Sequence, residues 1–126
     1  FIQQHGPLEF LKTTTPNLFS PVFKTNFPDA VNEFLNKISY FSDTVLISYY
    51  EAMLKRPDRT LMLIKHKFPI LFIAGENDIA VPLDDSLKQG LLPEKCYFHI
   101  LKKSGHMGMI EEGIRLPLTP LDERFR

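Results

Sequence analysis

An α/β fold, with helices laid on a parallel sheet, is what this sequence predicts, and three observations predict it. Residues 70–74 and 96–101 are short apolar runs of strand type, partly β-branched. The segment 84–91 between them and another beginning near Met107 have helical character, so the order is strand, helix, strand, helix. Residues 1–67 carry helical periodicity and no strand-type run.

Composition sets the frame for that reading. The 126 residues are 44% hydrophobic, enough for a folded core in one small domain. Fifteen Lys and Arg balance fifteen Asp and Glu, with neither sign gathered into a block, which speaks against nucleic acid or an anionic membrane surface as partner. A small, mostly uncharged molecule is the expected partner. No apolar stretch approaches the roughly 20 residues of a membrane-spanning helix, and no signal-peptide pattern opens the chain, so a soluble, cytoplasmic protein is expected. The single cysteine, Cys96, lies in an apolar run and reads as a buried, inert thiol rather than a nucleophile.

The elements follow in order. Pro7 to Lys12 forms a first short helix, broken by Thr13-Thr14-Thr15-Pro16. Pro28-Asp29 opens a second, in which Val31, Phe34, Leu35 and Ile38 recur at i, i+3, i+4 and i+7 and share one face. Ser42 is the N-cap of a third, whose Val45, Leu46, Tyr49, Tyr50, Met53 and Leu54 spread over an arc wide enough to imply burial on more than one side. Pro57-Asp58 restarts a short helix through about Lys65. At Pro69 the character changes: Ile70 to Ala74 is continuous and apolar, as suits a strand covered on both faces, and it stops at Gly75. Two strands are too few for a stable sheet, so further strands are expected from elsewhere. No repeat, low-complexity tract or Gly/Ser linker interrupts the chain, and the boundary near Lys67-Phe68 is a change of layer.

The chemistry gathers at the ends of the two strands. In open α/β sheets functional groups collect at the carboxyl ends of strands, where Gly75-Glu76-Asn77-Asp78 follows the first run and Gly105-His106-Met107-Gly108 follows the second. Neighbouring strands lie about 4.8 Å apart, so loops leaving one edge can bring a carboxylate and an imidazole into hydrogen-bond contact. Glycines beside His106 would permit backbone angles that aim its ring outward. Alone, an Asp in such a turn is more often an Asx-turn residue bonding its own backbone, and a lone Gly-His pair says little. In this order on successive strands the two reinforce each other.

The segment Pro69-Ile70-Leu71-Phe72-Ile73-Ala74-Gly75-Glu76-Asn77-Asp78-Ile79-Ala80-Val81-Pro82, then Leu92-Pro93, then Ser104-Gly105-His106-Met107-Gly108 with Glu111-Glu112, resembles the α/β-hydrolase superfamily, in particular its cap-containing single-domain hydrolases. The resemblance implies the C-terminal part of that fold. Residues 1–67 would be the helical cap and the helix returning to the sheet, residues 68–112 the last core segment with its acid and base loops, and residues 113–126 an atypical tail, since Pro117 and Pro120 interrupt a helix there. It also implies Asp78 as the acid and His106 as the general base of a nucleophile-His-Asp triad acting on an ester or similar bond of a small apolar substrate.

The nucleophile is not in this sequence. Ser20, Ser39, Ser42, Ser48, Ser86 and Ser104 all lack the G-x-S-x-G context that the family's nucleophile elbow uses, and the oxyanion-hole segment is absent as well. The chain alone is expected to be inactive and to need the N-terminal core of the fold. Tyr49, Tyr50, Met53 and Met107 are the candidates for substrate binding, although such residues are as often plain core. His5, His66 and His99 share no metal-ligand spacing, so neither a metal nor a cofactor is expected. Two alternatives stay open: a non-catalytic ligand-binding relative that has lost its nucleophile, and an independent small α/β interaction domain.

Overall fold

A computed structural model describes residues 1–113, and the expectation for the tail beyond Gly113 lies outside the described residues. The first part is a layer of short helices: α1 (Ile2–His5), α2 (Pro7–Thr14), α3 (Pro21–Asn26), α4 (Pro28–Ile38), α5 (Asp43–Leu54) and α6 (Thr60–Lys65), with a single 3₁₀ turn over Thr15–Leu18. The second part alternates β1 (Ile70–Gly75), α7 (Leu83–Gly90), β2 (Cys96–Leu101) and α8 (Gly108–Glu111). Proline supplies three of the eight α-helix starts among the described residues. It stands in the first turn of α2, α3 and α4, where a missing N–H costs nothing because no partner exists for it.

The one expected cap forms, and the starts of α1 and α3 were missed. The Ser42 hydroxyl accepts from the Val45 N–H at 3.3 Å, as the sequence predicted for α5. The Asp58 carboxylate accepts the N–H of Thr60 at 2.8 Å at the head of α6, and the Thr60 hydroxyl and N–H together hold its pKa below the usual value. Helix α3 was not anticipated, although Ser20-Pro21 is a cap followed by proline at the first helical position; the Ser20 hydroxyl accepts from the Phe23 N–H at 3.2 Å. The apolar spacing after it is too short for a periodicity to register.

The helical layer packs around Phe19, which is 2% exposed and stacks on Phe23 at 5.5 Å while meeting Phe34 edge-on at 5.8 Å. Leu11, Val31 and Leu46 complete its buried apolar set. The broad arc expected on α5 is not buried on two sides: Leu46 is buried, but Tyr49, Tyr50, Met53 and Leu54 are exposed.

β1 and β2 pair in parallel with Ile70 opposite Cys96 and Gly75 opposite Leu101, and α7 is the crossover between them. Side-chain alternation divides the sheet into two faces. Phe72 and Phe98 stack in parallel at 5.7 Å on the face that α7 covers, where a Cβ on Gly90 would sit 3.0 Å from the Phe98 ring. Leu71, Ile73 and His99 turn to the other face and are exposed. A strand covered on both faces was expected; the burial alternates instead, with Leu71, Ile73 and His99 exposed on that second face. Cys96 is half-buried rather than buried, with its thiol 3.6 Å from the Tyr97 carbonyl oxygen.

Candidate active site

The paired ends of β1 and β2 release two loops side by side, and the first of them continues the ladder onto the second. Glu76 donates its N–H to the Leu101 carbonyl at 3.0 Å, Asn77 to the Ser104 carbonyl at 2.9 Å, and the Asn77 side-chain amide to Lys102 at 3.2 Å. Gly75 is what lets them close. A Cβ there would stand 2.0 Å from the Gly105 carbonyl oxygen and 2.6 Å from that of Ser104, both backbone atoms that cannot yield independently.

Those contacts bring Asp78 Oδ2 to 2.8 Å from His106 Nδ1. The other carboxylate oxygen, Oδ1, accepts the N–H groups of Ala80 and Val81, each at 2.9 Å. Asp78 is therefore both the Asx-turn residue and the partner of a histidine, with one oxygen given to each task. Its side chain is 8% exposed and that of His106 44%, so the carboxylate is fixed within the loop while the ring reaches solvent. Because an ionised carboxylate can only accept, this contact requires a proton on Nδ1, which in a neutral ring places the lone pair on Nε2. An imidazole held this way can take a proton at Nε2 and return it, with the carboxylate stabilising the cation in between.

The His106 loop is held from further away. The His106 N–H donates to the Leu18 carbonyl at 2.8 Å, at the end of the 3₁₀ turn. The Glu111 carboxylate accepts the Gly105 N–H through Oε1 and the Ser20 N–H through Oε2, both at 2.9 Å, and Glu112 accepts the Lys103 N–H at 3.1 Å. The glycines do not act as expected: Gly6 alone among the described residues has a positive φ, so Gly105 and Gly108 serve by lacking a side chain. A Cβ on Gly105 would meet the Leu18 oxygen at 2.8 Å and the Ser20 nitrogen at 2.9 Å, and one on Gly108 would meet the Leu101 side chain at 2.5 Å.

Beside the pair lies a recess of about 360 Å³, whose apolar walls are Ile73, Val81, Leu101 and Met109. Tyr49, Tyr50, Met53 and Met107 are not among its lining residues. Tyr50 instead borders a second hollow with Phe1, Ile2, Phe10 and Ile47, and meets the Phe10 ring edge-on at 5.1 Å. Met109 and Val81 were missed; each lies three residues after a candidate, Met109 after His106 and Val81 after Asp78, and that closeness was the available signal. No group of three metal-ligating side chains occurs among the described residues. Ser20 and Ser104 are fully buried, and the Ser20 hydroxyl is occupied as the cap of α3.

A carboxylate and an imidazole joined at the carboxyl ends of adjacent parallel strands, with a helical layer packed on the His106 loop, match the fold of part of an α/β-hydrolase. Solved structures agree. An esterase from Thermogutta terrifontis superposes with a TM-score of 0.81 at 20% identity, over 90% of this chain and 42% of the esterase. A serine hydrolase involved in carbazole degradation superposes with a TM-score of 0.64 at 18% identity, over 86% of this chain and 43% of that enzyme. The chain thus spans less than half the length of either enzyme. No protein-family model matches the sequence, and no curated protein does. Among the described residues no helix is long and apolar enough to cross a membrane.

Proposed function

We propose that this chain is the C-terminal part of a hydrolase, supplying the acid Asp78 and the base His106 to a triad whose nucleophile stands on polypeptide outside these 126 residues. One observation carries the reading: the 2.8 Å contact between Asp78 Oδ2 and His106 Nδ1, made from the ends of two paired strands. It leaves Nε2 as the one ring nitrogen able to receive a proton. A serine hydroxyl brought to Nε2 would give up its proton as its oxygen attacks a carbonyl carbon, and the imidazolium would then protonate the leaving group. Asp78 holds the tautomer and the ring plane throughout. The apolar recess, and its nearness to the pair, favour an ester or similar bond in a small apolar substrate. In this reading residues 1–67 form the cap, Tyr49, Tyr50, Met53 and Met107 lie toward the substrate path, and no cofactor takes part.

The test is hydrolysis of p-nitrophenyl esters. The 126-residue chain alone should show no turnover above a His106→Ala control, and clear His106-dependent turnover by the isolated chain would overturn the proposal. In a protein that joins this chain to an upstream sheet bearing a G-x-S-x-G elbow, His106→Ala should lower kcat/KM by about 10⁴-fold.

A further inference from the structure

The acidic residues after His106 have no part in the proton transfer just described, yet one of them touches both layers of the molecule. We infer that Glu111 is a positioning residue, whose carboxylate fixes the loop that aims His106 and ties that loop to the helical layer. The inference rests on His106 being the functional imidazole.

Glu111 Oε1 accepts the N–H of Gly105, the residue immediately before His106, and Oε2 accepts the N–H of Ser20, 91 positions away in sequence. Gly105 and Ser20 are both buried, so water is poorly placed to replace the carboxylate as their acceptor. Hydrogen bonds to an ionised acceptor are also stronger and more directional than neutral ones. The His106 N–H closes the arrangement from the other side by donating to Leu18, two residues before Ser20. Residues 18–20 and 105–106 are therefore joined by the Glu111 side chain and by a direct backbone bond. A shift at either segment passes to the backbone of His106, and the Asp78 contact constrains only its ring, at Nδ1. Glu112 makes a natural control: it is adjacent and also accepts a loop N–H, but that of Lys103, which does not reach the helical layer.

The experiment uses the 126-residue chain with Glu111→Ala, Glu111→Gln, Glu112→Gln and Asp78→Asn. Amide hydrogen exchange is read at Ser20 and Gly105, and the rate of ethoxycarbonylation by diethyl pyrocarbonate is read at His106 relative to exposed His5 and His99. Glu111→Ala should speed exchange at both amides by about tenfold or more and change the His106 rate at least about threefold against the two reference histidines. Glu111→Gln, whose oxygen can keep one N–H while its NH₂ opposes the other, should fall between wild type and Ala. Glu112→Gln should leave Ser20, Gly105 and His106 unchanged. Wild-type exchange and a wild-type His106 ratio in Glu111→Ala overturn the inference, and so does a uniform rise at all amides and all three histidines, which signals loosening without positioning. Asp78→Asn separates the two readings: it should alter the His106 rate and leave Ser20 and Gly105 exchange alone. If it leaves that rate untouched while the Glu111 variants behave as described, the acid–base reading fails and the positioning of the loop stands.

Discussion

The loop that carries Asp78 and the loop that carries His106 leave the same sheet edge, but they are held in opposite ways. The Asp78 loop closes largely on itself. Its carboxylate binds the N–H groups two and three residues ahead, and its Asn77 continues the ladder begun by β1 and β2. The His106 loop borrows its partners: a carbonyl from Leu18, and carboxylates from Glu111 and Glu112 on and just after α8. A self-closed loop can be set by a few adjacent residues, whereas a borrowed one depends on layers meeting correctly. The same division explains why the ring can be aimed by the helical layer and the carboxylate cannot.

The largest test of this contrast lies where the loops touch. Gly75→Ala places a Cβ 2.0 Å from the Gly105 oxygen and should cost about 3 kcal/mol or more in urea unfolding, because backbone must move on both sides. Gly105→Ala strikes the borrowed loop alone, against the Leu18 oxygen at 2.8 Å, and should cost about 2 kcal/mol while loosening residues 18–20 more than residues 76–82 in hydrogen exchange. Asp78→Ala removes the acceptor of two N–H groups and should cost about 1–2 kcal/mol, whereas Asp78→Asn keeps an oxygen for Ala80 and Val81 and should cost less than half as much. A larger loss in Asn than in Ala would refute the account of the self-closed loop. Smallest of all, Lys67→Ala should change the unfolding free energy by no more than about 0.5 kcal/mol, since its 3.5 Å pair with Glu94 is well exposed at both ends and lies far from either loop in sequence.

The same contrast governs how much the sequence disclosed. Ile70 to Ala74 and Cys96 to Leu101 were legible as strands because composition and length announce a strand locally, and the α7 and α8 segments fell out of the alternation between them. Asp78 and His106 were legible as a pair because each lies within a few residues of a strand end. What the pair does to its own loop was not: the turn and the histidine contact appeared as rival readings, and the structure shows that two carboxylate oxygens satisfy both. Glu111 was visible only as part of an acidic doublet. No local pattern can reveal that its partner is the N–H of Ser20, since backbone groups look alike in every sequence. Exposure was the least legible property. The apolar arc of α5 and the outer face of β1 read as buried because their composition demands cover, and composition cannot say whether the covering surface is among the described residues.

Sequence separation also gives the two contacts different entropic costs. The Asp78–His106 contact closes a loop of 28 residues within the strand–helix–strand unit, while Ser20 and Glu111 must find each other across 91. By loop-closure entropy alone the longer contact costs roughly 1 kcal/mol more, and it can be recovered only once the helical layer is in place. On separation alone Asp78 and His106 can meet within the shorter unit, whereas the Ser20–Glu111 contact requires the helical layer.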